Sequence, residues 1–311
     1  MYDVVALGEL LIDFTTQSID SDGYPTMAAH PGGAPANFLA AIAKFGGKAA
    51  LLGKVGTDTF GKLLTDTLRK AGIEMKGLVA SDKVFTTLAF VTLDENGDRE
   101  FAFARMPGAD TQLTFDELDL SLIDETRVFH FGTLSLTDEP ARSTTYRAVE
   151  YAKAHGKLVT YDPNLRKPLW RSLDEAKEQM LWGLRQADVV KISDEEVEFL
   201  FGLGAREGAQ YILGHFPVKL VFVTCGADGC WFQNRNAGGH VDSLKDIKVV
   251  DATGAGDIFG GSAVWKLLQT GKAPEDLTEA ELRGIVSFAC KAAGLSTTKP
   301  GGISSVPETW M

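Results

Sequence analysis

The chain has few of the residues that stabilise small secreted or metal-dependent domains. Its 311 residues include three cysteines, Cys225, Cys230 and Cys290, and no Cys-x-x-Cys pair. An odd number of dispersed cysteines argues against a disulfide framework and against a structural zinc site. The five histidines show no His-x-x-x-His spacing, so structural roles are expected for them.

Long apolar runs and long basic runs are also missing. No apolar run reaches the ~18 residues that a membrane span needs, and residues 1–9 lack the basic region and the small-residue cleavage site of a signal peptide. The formal net charge is −11, and an acidic chain without a Lys/Arg run is a poor nucleic-acid binder. The sequence therefore predicts a cytoplasmic protein with no membrane and no nucleic-acid partner.

Strand-like apolar runs alternate with helix-like segments along most of the chain. The runs lie at Val4–Leu7, Ala49–Val55, Val128–Gly132, Leu158–Tyr161, Val189–Ile192 and Leu220–Thr224, with further strands and turns expected within Cys230–Val250. The helices are expected at Pro35–Phe45, Thr59–Ala71, Glu139–His155, Leu173–Ala187 and Asp194–Phe201. This alternation predicts βαβ units and a parallel sheet. The length suits one large domain with an appendage, or two domains.

Two regions interrupt this alternation, the strands and turns of Cys230–Val250 and a hairpin-like region earlier in the chain. Thr86–Leu93 and Arg99–Arg105 are strand-like and are joined by residues 94–98, which contain an Asn-Gly step typical of a hairpin. Together with Asp13–Ala29 the hairpin can form a small sheet outside the main one, and such a sheet would act as a lid. The period of two puts three side chains on one face of the hairpin: Phe101, Phe103 and Arg105.

The most informative stretch is Asp251-Ala252-Thr253-Gly254-Ala255-Gly256-Asp257, which precedes an apolar run that suits a helix. Unpaired backbone N–H groups and the helix dipole make such a start an anion-binding site. Glycines let a ligand approach the backbone closely. Asp257 at the edge of this site can accept a proton, which is what phosphoryl transfer to a hydroxyl needs. The alternative is a glycine-rich loop that only caps the helix.

Two further segments place polar groups where a ligand can reach them. Gly32-Gly33-Ala34-Pro35-Ala36-Asn37 is a glycine step into a helix, with Pro35 suited to the first turn. It is either part of a polar ligand site or a tight turn. Asp162-Pro163-Asn164-Leu165-Arg166 follows a strand, and ligands of open α/β sheets bind at the carboxyl ends of strands. Arg166 can hold a phosphate there through two N–H groups.

Three more loops are candidates for a nucleotide and its ions. In Lys191-Ile192-Ser193-Asp194-Glu195-Glu196 the last carboxylate either helps to bind Mg²⁺ or complements a helix dipole. Residues Thr224–Gly229 follow a strand and are small, as suits the edge of a nucleotide. Residues Ser296–Gly302 are irregular, and their carbonyls either coordinate a monovalent cation or form a plain loop.

A phosphate-binding P-loop is not expected, although residues 56–62 have the spacing of one. In this motif a Ser or Thr after the lysine holds Mg²⁺. Leu63 occupies that position here. We expect a turn that leads into a surface helix.

Taken together, these segments resemble the ribokinase-like (PfkB) sugar kinases, and most closely the fructokinases among them. The resemblance extends from Val4 to Pro307. Gly32-Gly33-x-x-x-Asn37, with Gly53-x-Val55-Gly56-x-Asp58-x-x-Gly61, is similar to the first family signature, and Asp251–Asp257 is similar to the second. Two signatures in order and far apart carry more weight than a lone motif.

The resemblance implies a role for each candidate residue. The catalytic set is Asp257 as the base and Gly254, Ala255 and Gly256 as the anion hole. The sugar-binding set is Asp13, Gly32, Gly33, Asn37, Phe101, Phe103, Arg105, Asn164 and Arg166. The ATP-binding set is Lys191, Ser193, Thr224, Gly226, Gly229 and Cys290. The metal set is Glu196 for Mg²⁺, and Asp251, Thr253, Ser296, Lys299, Gly301 and Ser305 for a monovalent cation, expected to be K⁺.

The resemblance also implies the fold and the reaction. The expected fold is a single domain over residues 1–311, with a Rossmann-like three-layer α/β/α core and a small β lid from residues 13–31 and 85–106. The expected reaction is ATP-dependent phosphorylation of D-fructose to fructose 6-phosphate, with a homodimer formed through the lid. A 2-keto-3-deoxygluconate kinase, a ribokinase or a nucleoside kinase is the alternative. Ser193 departs from the family, since many members have Asn there, and Cys290 stands where ribokinases often carry a polar residue.

Overall fold

The computed structural model describes residues 1–93 and 99–308, and the side chains of residues 93 and 99–101 lie outside this description. Thirteen strands are present in the described residues. They are β1 Tyr2–Leu7, β2 Leu11–Ile19, β3 Pro25–Gly32, β4 Ala49–Gly56, β5 Leu78–Ser81, β6 Leu88–Leu93, β7 Arg99–Ala104, β8 Thr126–Gly132, β9 Leu158–Asp162, β10 Val189–Ser193, β11 Leu220–Thr224, β12 Cys230–Asn234 and β13 Gly238–Val241.

The same residues contain nine α-helices. They are α1 Ala34–Lys44, α2 Thr59–Ala71, α3 Leu120–Asp124, α4 Ala141–Ala154, α5 Leu173–Gln186, α6 Asp194–Phe201, α7 Ala205–His215, α8 Ala255–Thr270 and α9 Glu279–Ser296. None of the helices within residues 1–93 and 99–308 is long and apolar enough to cross a membrane.

A nine-stranded sheet forms the centre of the described structure. Its order is β13-β12-β11-β10-β9-β8-β1-β4-β5, and the strands from β11 to β5 are parallel while β12 and β13 are antiparallel additions at one edge. Parallel strands are buried on both faces and therefore read as continuous apolar runs. All eight residues of β4 are buried accordingly.

Helices cover both faces of this sheet. Helices α3 to α7 pack on one face around a core that includes Phe129, Phe131 and Tyr161. Helices α1, α2, α8 and α9 pack on the other face, around Phe38 and Trp265. This arrangement is the expected three-layer α/β/α core.

A separate four-stranded sheet lies outside the core, in the order β3-β2-β6-β7. We call it the small sheet. β6 and β7 pair antiparallel, with Leu88 opposite Ala104, so the expected hairpin pairing is confirmed. The Asn-Gly turn proposed for residues 94–98 lies outside the described residues. The strands begin and end at slightly different residues from those expected, since β2 starts at Leu11 and β6 at Leu88.

Local sequence signals explain most helix boundaries. The Asp58 side chain accepts hydrogen bonds from the amides of Phe60 and Gly61 and so caps α2, while Gly72 ends that helix in a left-handed conformation with φ 75°. Residues 56–62 therefore lead into a helix start, as expected, and do not form a phosphate-binding loop. The strands expected across Cys230–Val250 extend only to Val241, so that expectation is wrong for residues 242–250.

Candidate active site

Two clefts meet at the start of α8, at the carboxyl ends of the parallel strands. Gly254 caps this helix in a left-handed conformation with φ 76°, and it has no side chain to satisfy the helix amides. A Cβ there would lie 2.9 Å from Gly302 Cα and 3.0 Å from Asn37 Nδ2. Glycine is therefore required for both the conformation and the space. The Ala255 amide donates to the Ala252 carbonyl at 3.3 Å, and because Gly254 provides no side-chain cap for the amides that follow, the start of α8 suits an anion.

The first cleft gathers most residues assigned to the sugar. It is lined by Glu9, Leu11, Asp13, Gly33, Ala34, Asn37, Val91, Phe103, Leu134, Asn164, Arg166, Lys191, Ala252, Thr253, Gly254, Gly256 and Asp257. Leu11, Asp13, Val91 and Phe103 come from the small sheet, and the others come from the core. Gly32 ends β3, and a Cβ on it would collide with the Asp13 carboxylate. The absence of a side chain at Gly32 therefore leaves room for Asp13.

Asp257 is buried in this cleft and is held by Asn37. The Asn37 side-chain amide donates a hydrogen bond of 2.9 Å to Asp257 Oδ2. Burial raises the pKa of the Asp257 carboxyl, while Lys191, Asn37 and Arg166 oppose this shift. The Asn37 side-chain oxygen is buried without a hydrogen-bond partner among the described residues. Because such an atom is costly to leave unpaired, it is a ready acceptor for a ligand hydroxyl.

Asp13 is the second buried carboxylate of the first cleft. Burial and the charges of Asp257 and Asp251 raise its pKa to about 7, and Arg166 opposes them. A carboxyl group with this pKa exchanges between donor and acceptor forms near neutral pH. It therefore suits a hydroxyl ligand, which can accept as well as donate.

The loop after β9 carries Asn164 and Arg166 into the first cleft. Asn164 has φ 48°, an uncommon conformation that Asn tolerates better than most residues. The next amide, that of Leu165, donates a 2.6 Å hydrogen bond to Glu196 Oε1. The strained backbone and its anchor fix the direction in which the loop leaves the sheet.

The second cleft collects all six residues assigned to ATP. Its lining is Lys191, Ser193, Asp194, Glu195, Thr224, Gly226, Gly229, Ser243, Ala252, Ala255, Gly256, Phe259, Cys290 and Ala293. Lys191, Ala252 and Gly256 line both clefts. A ligand that extends through the second cleft therefore reaches the first one at the start of α8.

Both carboxylate oxygens of Glu196, the residue expected to help bind Mg²⁺, accept hydrogen bonds from backbone amides. Its Oε2 accepts from the Ser193 amide at 2.9 Å, and the Ser193 hydroxyl accepts in turn from the Glu196 amide, which makes a capping box for α6. Its Oε1 binds the Leu165 amide. Both oxygens therefore organise backbone, whereas Asp194 and Glu195 line the second cleft and suit Mg²⁺ by their chemistry. No cluster of three His, Cys, Asp or Glu side chains able to hold a metal occurs in the described part of the chain.

Asp251 joins the segment before α8 to the segment after α9. Its Oδ1 accepts from the Thr253 amide at 2.9 Å and its Oδ2 from the Gly301 amide at 3.0 Å. The amide of Asp251 donates to the Thr297 carbonyl. Ser296 ends α9, and its buried hydroxyl donates to the Ala293 carbonyl of that helix. The buried Ser305 hydroxyl donates to the Gly302 carbonyl, while Lys299 is exposed. Of this set, the structure brings together Asp251, Thr253 and Gly301.

Arg105, which is expected to contact the sugar, has protein partners for its guanidinium in this structure. β7 ends at Ala104, so the strand alternation does not extend to Arg105. Its guanidinium is buried and bonds Asp110 Oδ2 at 2.7 and 2.9 Å, Thr137 Oγ1 at 2.7 Å and the Leu134 carbonyl at 2.8 Å. Arg105 thus ties the end of β7 to the loop that carries Leu134. Phe103 does line the first cleft, and the Phe101 side chain lies outside the described part.

Sequence reasoning missed two buried carboxylates of the site, Glu9 and Asp162. Glu9 Oε1 accepts from the Ala34 amide at 2.9 Å and so caps α1. Asp162 forms a 3.0 Å ion pair with Lys191. Both come at or just after the carboxyl end of a parallel strand, and this position is the signal that would have identified them.

Comparisons with known proteins agree with this geometry. A family model described as "pfkB family carbohydrate kinase" matches residues 1–309. Fructokinase-1 of Zea mays is 43% identical over 307 residues, which is 98% of this chain and 94% of that protein. Fructokinase-2 of Solanum lycopersicum is 42% identical over 98% of this chain and 93% of that protein.

Solved structures with bound ligands are similar over the whole chain. Fructokinase with bound ATP from Xylella fastidiosa has a TM-score of 0.90 at 30% identity, covering 99% of this chain and 96% of that one. A fructokinase double mutant from Vibrio cholerae O395, bound to fructose, ADP and potassium ion, has a TM-score of 0.86 at 32% identity, covering 98% and 96%. A putative ribokinase II from E. coli in complex with ATP and Mg²⁺ has a TM-score of 0.86 at 27% identity, covering 99% and 96%. The chain belongs to the pfkB family of carbohydrate kinases.

Proposed function

We propose that this protein is an ATP-dependent fructokinase that converts D-fructose to fructose 6-phosphate. The observation that carries the proposal is Asp257, a buried carboxylate held by Asn37 where the two clefts meet at the open start of α8. A pure binding protein needs no such base. The fructokinases among its relatives and structural neighbours support the choice of sugar.

In this proposal the sugar occupies the first cleft and ATP the second. Asp13, Gly33, Asn37, Asn164 and Arg166 hold the sugar, with Phe103 over it. Asp257 takes the proton of the attacking hydroxyl, and its raised pKa makes it a better base near neutral pH than an ordinary aspartate. The amides at Gly254, Ala255 and Gly256 stabilise the charge of the transferring phosphoryl group.

Two ions complete the proposed site. Asp194 and Glu195 supply carboxylates to the second cleft, and Glu196 fixes the backbone beside them, which fits Mg²⁺ bound with ATP. Mg²⁺ neutralises charge on the phosphates when it is bound. Carbonyls of the segment after α9, linked through Asp251 to the anion hole, fit a monovalent cation. The potassium and Mg²⁺ complexes of the structural neighbours support both assignments.

We assign the small sheet the role of a lid and of a dimer interface. It brings Leu11, Asp13, Val91 and Phe103 to the first cleft, so its movement would control access of water to the reaction. Ile19 is the last residue of β2 and Tyr24 precedes β3. They expose 69% and 70% of their surface. Exposed apolar side chains near β3, an edge strand of the small sheet as described, favour contact with a second copy of the chain.

The decisive experiment is a panel of sugars with an assay of ATP consumption. The panel contains D-fructose, D-ribose, 2-keto-3-deoxygluconate and a nucleoside, and NMR identifies the phosphorylated position of the product. Fructose is expected to give the highest kcat/KM, with phosphate on O6. If another compound of the panel gave a higher kcat/KM, that compound and not fructose would be the substrate. Absence of sugar-dependent ATP consumption across the panel would remove the kinase assignment.

A further inference from the structure

We propose that Lys191 is a catalytic residue whose ammonium contacts the phosphoryl group during its transfer between the two clefts, and that Asp162 is the residue that positions it. The inference rests on the proposed kinase function. It assigns to Lys191 a role in the chemical step in place of the simple nucleotide binding expected from the sequence.

The position of the ammonium carries the proposal. Lys191 lines both clefts, and a Cβ built on Gly256 would lie 2.8 Å from Lys191 Nζ. The ammonium therefore sits against the backbone of the anion hole, one residue from Asp257. Arg166, the other cation among the lining residues, is found in the first cleft only. Lys191 is thus the cation that both clefts share in the described part of the chain.

Asp162 holds the Lys191 ammonium but does not occupy all three N–H donors of that ammonium. Its Oδ2 and Oδ1 accept from Lys191 Nζ at 3.0 and 3.3 Å, and its side chain is 6% exposed. An ammonium has three N–H donors, and the described residues supply acceptors for at most two of them. The remaining donor is available to an oxygen of the phosphoryl group.

The ammonium stays charged in this environment. Burial alone lowers the pKa of Lys191, but the carboxylates of Asp162, Glu196 and Asp257 outweigh burial and raise it above the ordinary value. A permanently protonated lysine cannot act as the base. It acts as a fixed positive charge, which the water-excluded site makes more effective than in bulk water.

The chemical step gives this charge its function. The sugar hydroxyl oxygen attacks the γ-phosphorus of ATP, the bond from that phosphorus to the bridging oxygen breaks, and ADP leaves with the bonding electrons. The hydroxyl proton moves to Asp257. Negative charge on the transferring group is spread over its equatorial oxygens, and positioned cations are the main catalytic devices for such transfers. Lys191, which lines both clefts, stabilises that charge.

Lys191→Met tests the role by separating kcat from KM. We expect kcat for fructose to fall by ~10²–10³-fold, with the KM values for ATP and fructose within about threefold of wild type, and Lys191→Arg to recover part of kcat because it keeps the charge. Lys219→Met is the matched control, since Lys219 pairs with Asp188 at 3.0 Å just before β11 and lines neither cleft, and its kcat should not change. An unchanged kcat in Lys191→Met, or a rise in the KM for ATP alone, would overturn the proposal.

A binding measurement tests the role of Lys191 without relying on turnover. Calorimetry with fructose, ADP and aluminium fluoride, which mimics the transferring group, should show a loss of affinity of ~10²–10³-fold in Lys191→Met, with ADP binding unchanged. If that variant does not fold, the double variant Lys191→Met/Asp162→Leu removes the unpaired carboxylate as well. Equal affinity for the analogue in wild type and variant would refute the role. Failure of wild type to phosphorylate any sugar would instead refute the proposed function.

Discussion

At the scale of single residues, Asp257 is the side chain on which the proposed chemistry depends. Asp257→Asn keeps the size of the side chain and its contact with Asn37 but removes the ability to accept a proton. We expect kcat to fall by ~10²–10⁴-fold, the usual contribution of a general base, while fructose still binds. Steady-state kinetics and calorimetric titration with fructose measure the two effects. A fall in kcat of less than about tenfold would remove Asp257 from the role of base.

The contacts of Arg105 indicate a structural role, so its removal should destabilise the folded protein. The Arg105–Asp110 pair is almost fully buried, so Arg105→Ala leaves a buried carboxylate without its partner. We expect a loss of about 3–5 kcal/mol in the free energy of unfolding, measured by urea denaturation.

Arg69→Ala is the matched control for this prediction. The Arg69–Asp66 pair is exposed, so its loss should cost about 1 kcal/mol or less. If Arg105→Ala lowered kcat/KM for fructose without lowering stability, the original expectation of a sugar contact would be right and the structural role wrong.

The buried carboxyl group of Glu9 makes the free energy of unfolding depend on pH, and a single substitution can remove this contribution. Burial and the charge of Asp110 raise its pKa from 4.5 to about 7, while its hydrogen bonds and the charge of Arg105 oppose the shift. The folded state therefore holds a proton that the unfolded state has lost, and this stabilisation is present below pH 4.5 and disappears as the pH rises through about 7.

Glu9→Gln should remove this dependence, because glutamine does not titrate. From pH 5 to pH 8, we expect the free energy of unfolding of wild type to fall relative to that of Glu9→Gln, as measured by urea denaturation at each pH. Parallel curves for the two proteins over this range would contradict the assignment of a raised pKa to Glu9.

At the scale of elements, the start of α8 depends on the segment that follows α9. Asp251 links the two through the amides of Thr253 and Gly301, so an ion bound to that segment would rigidify the anion hole. We expect K⁺ to raise kcat over that in Na⁺ or tetramethylammonium, and Asp251→Ala to lose most of this activation. Steady-state assays in buffers with a single monovalent cation test it. Equal rates of the wild type in all three cations would contradict the prediction.

The elements themselves differ in how well sequence predicts them. α2 and α6 lie at the expected residues because each has a local start signal, the Asp58 cap and the Ser193–Glu196 capping box. Residues 242–250 include apolar side chains, but within the described part of the chain β13 is the edge strand of the large sheet and no further strand lies beyond it. Strand formation depends on such a partner, which lies far away in the chain, so local pattern alone overpredicts it.

At the scale of the whole molecule, the identities of the site residues are easier to predict than their contacts. Glycine steps and strand ends locate the site, since parallel strands bring their carboxyl ends to one edge. The hydrogen bond from Asn37 to Asp257 joins residues 220 positions apart, and nothing in either local sequence specifies it. Arg105 shows the same limit, because its partners at Leu134 and Thr137 are set by packing and not by strand period.

The small sheet is expected to form the interface of a homodimer. The side chains of Ile19 and Tyr24 lie largely in solvent on the small sheet, and burying them against a second copy would release about 1.5–3 kcal/mol for a large apolar side chain. We expect wild type to elute as a dimer in size-exclusion chromatography with light scattering, and Ile19→Asp/Tyr24→Asp to elute as a monomer with a lower Tm, because charges there oppose burial. Leu173→Asp, an exposed apolar position at the start of α5, is the control and should remain a dimer. A monomeric wild type, or a double variant with the mass of a dimer, would show that the small sheet is not the interface.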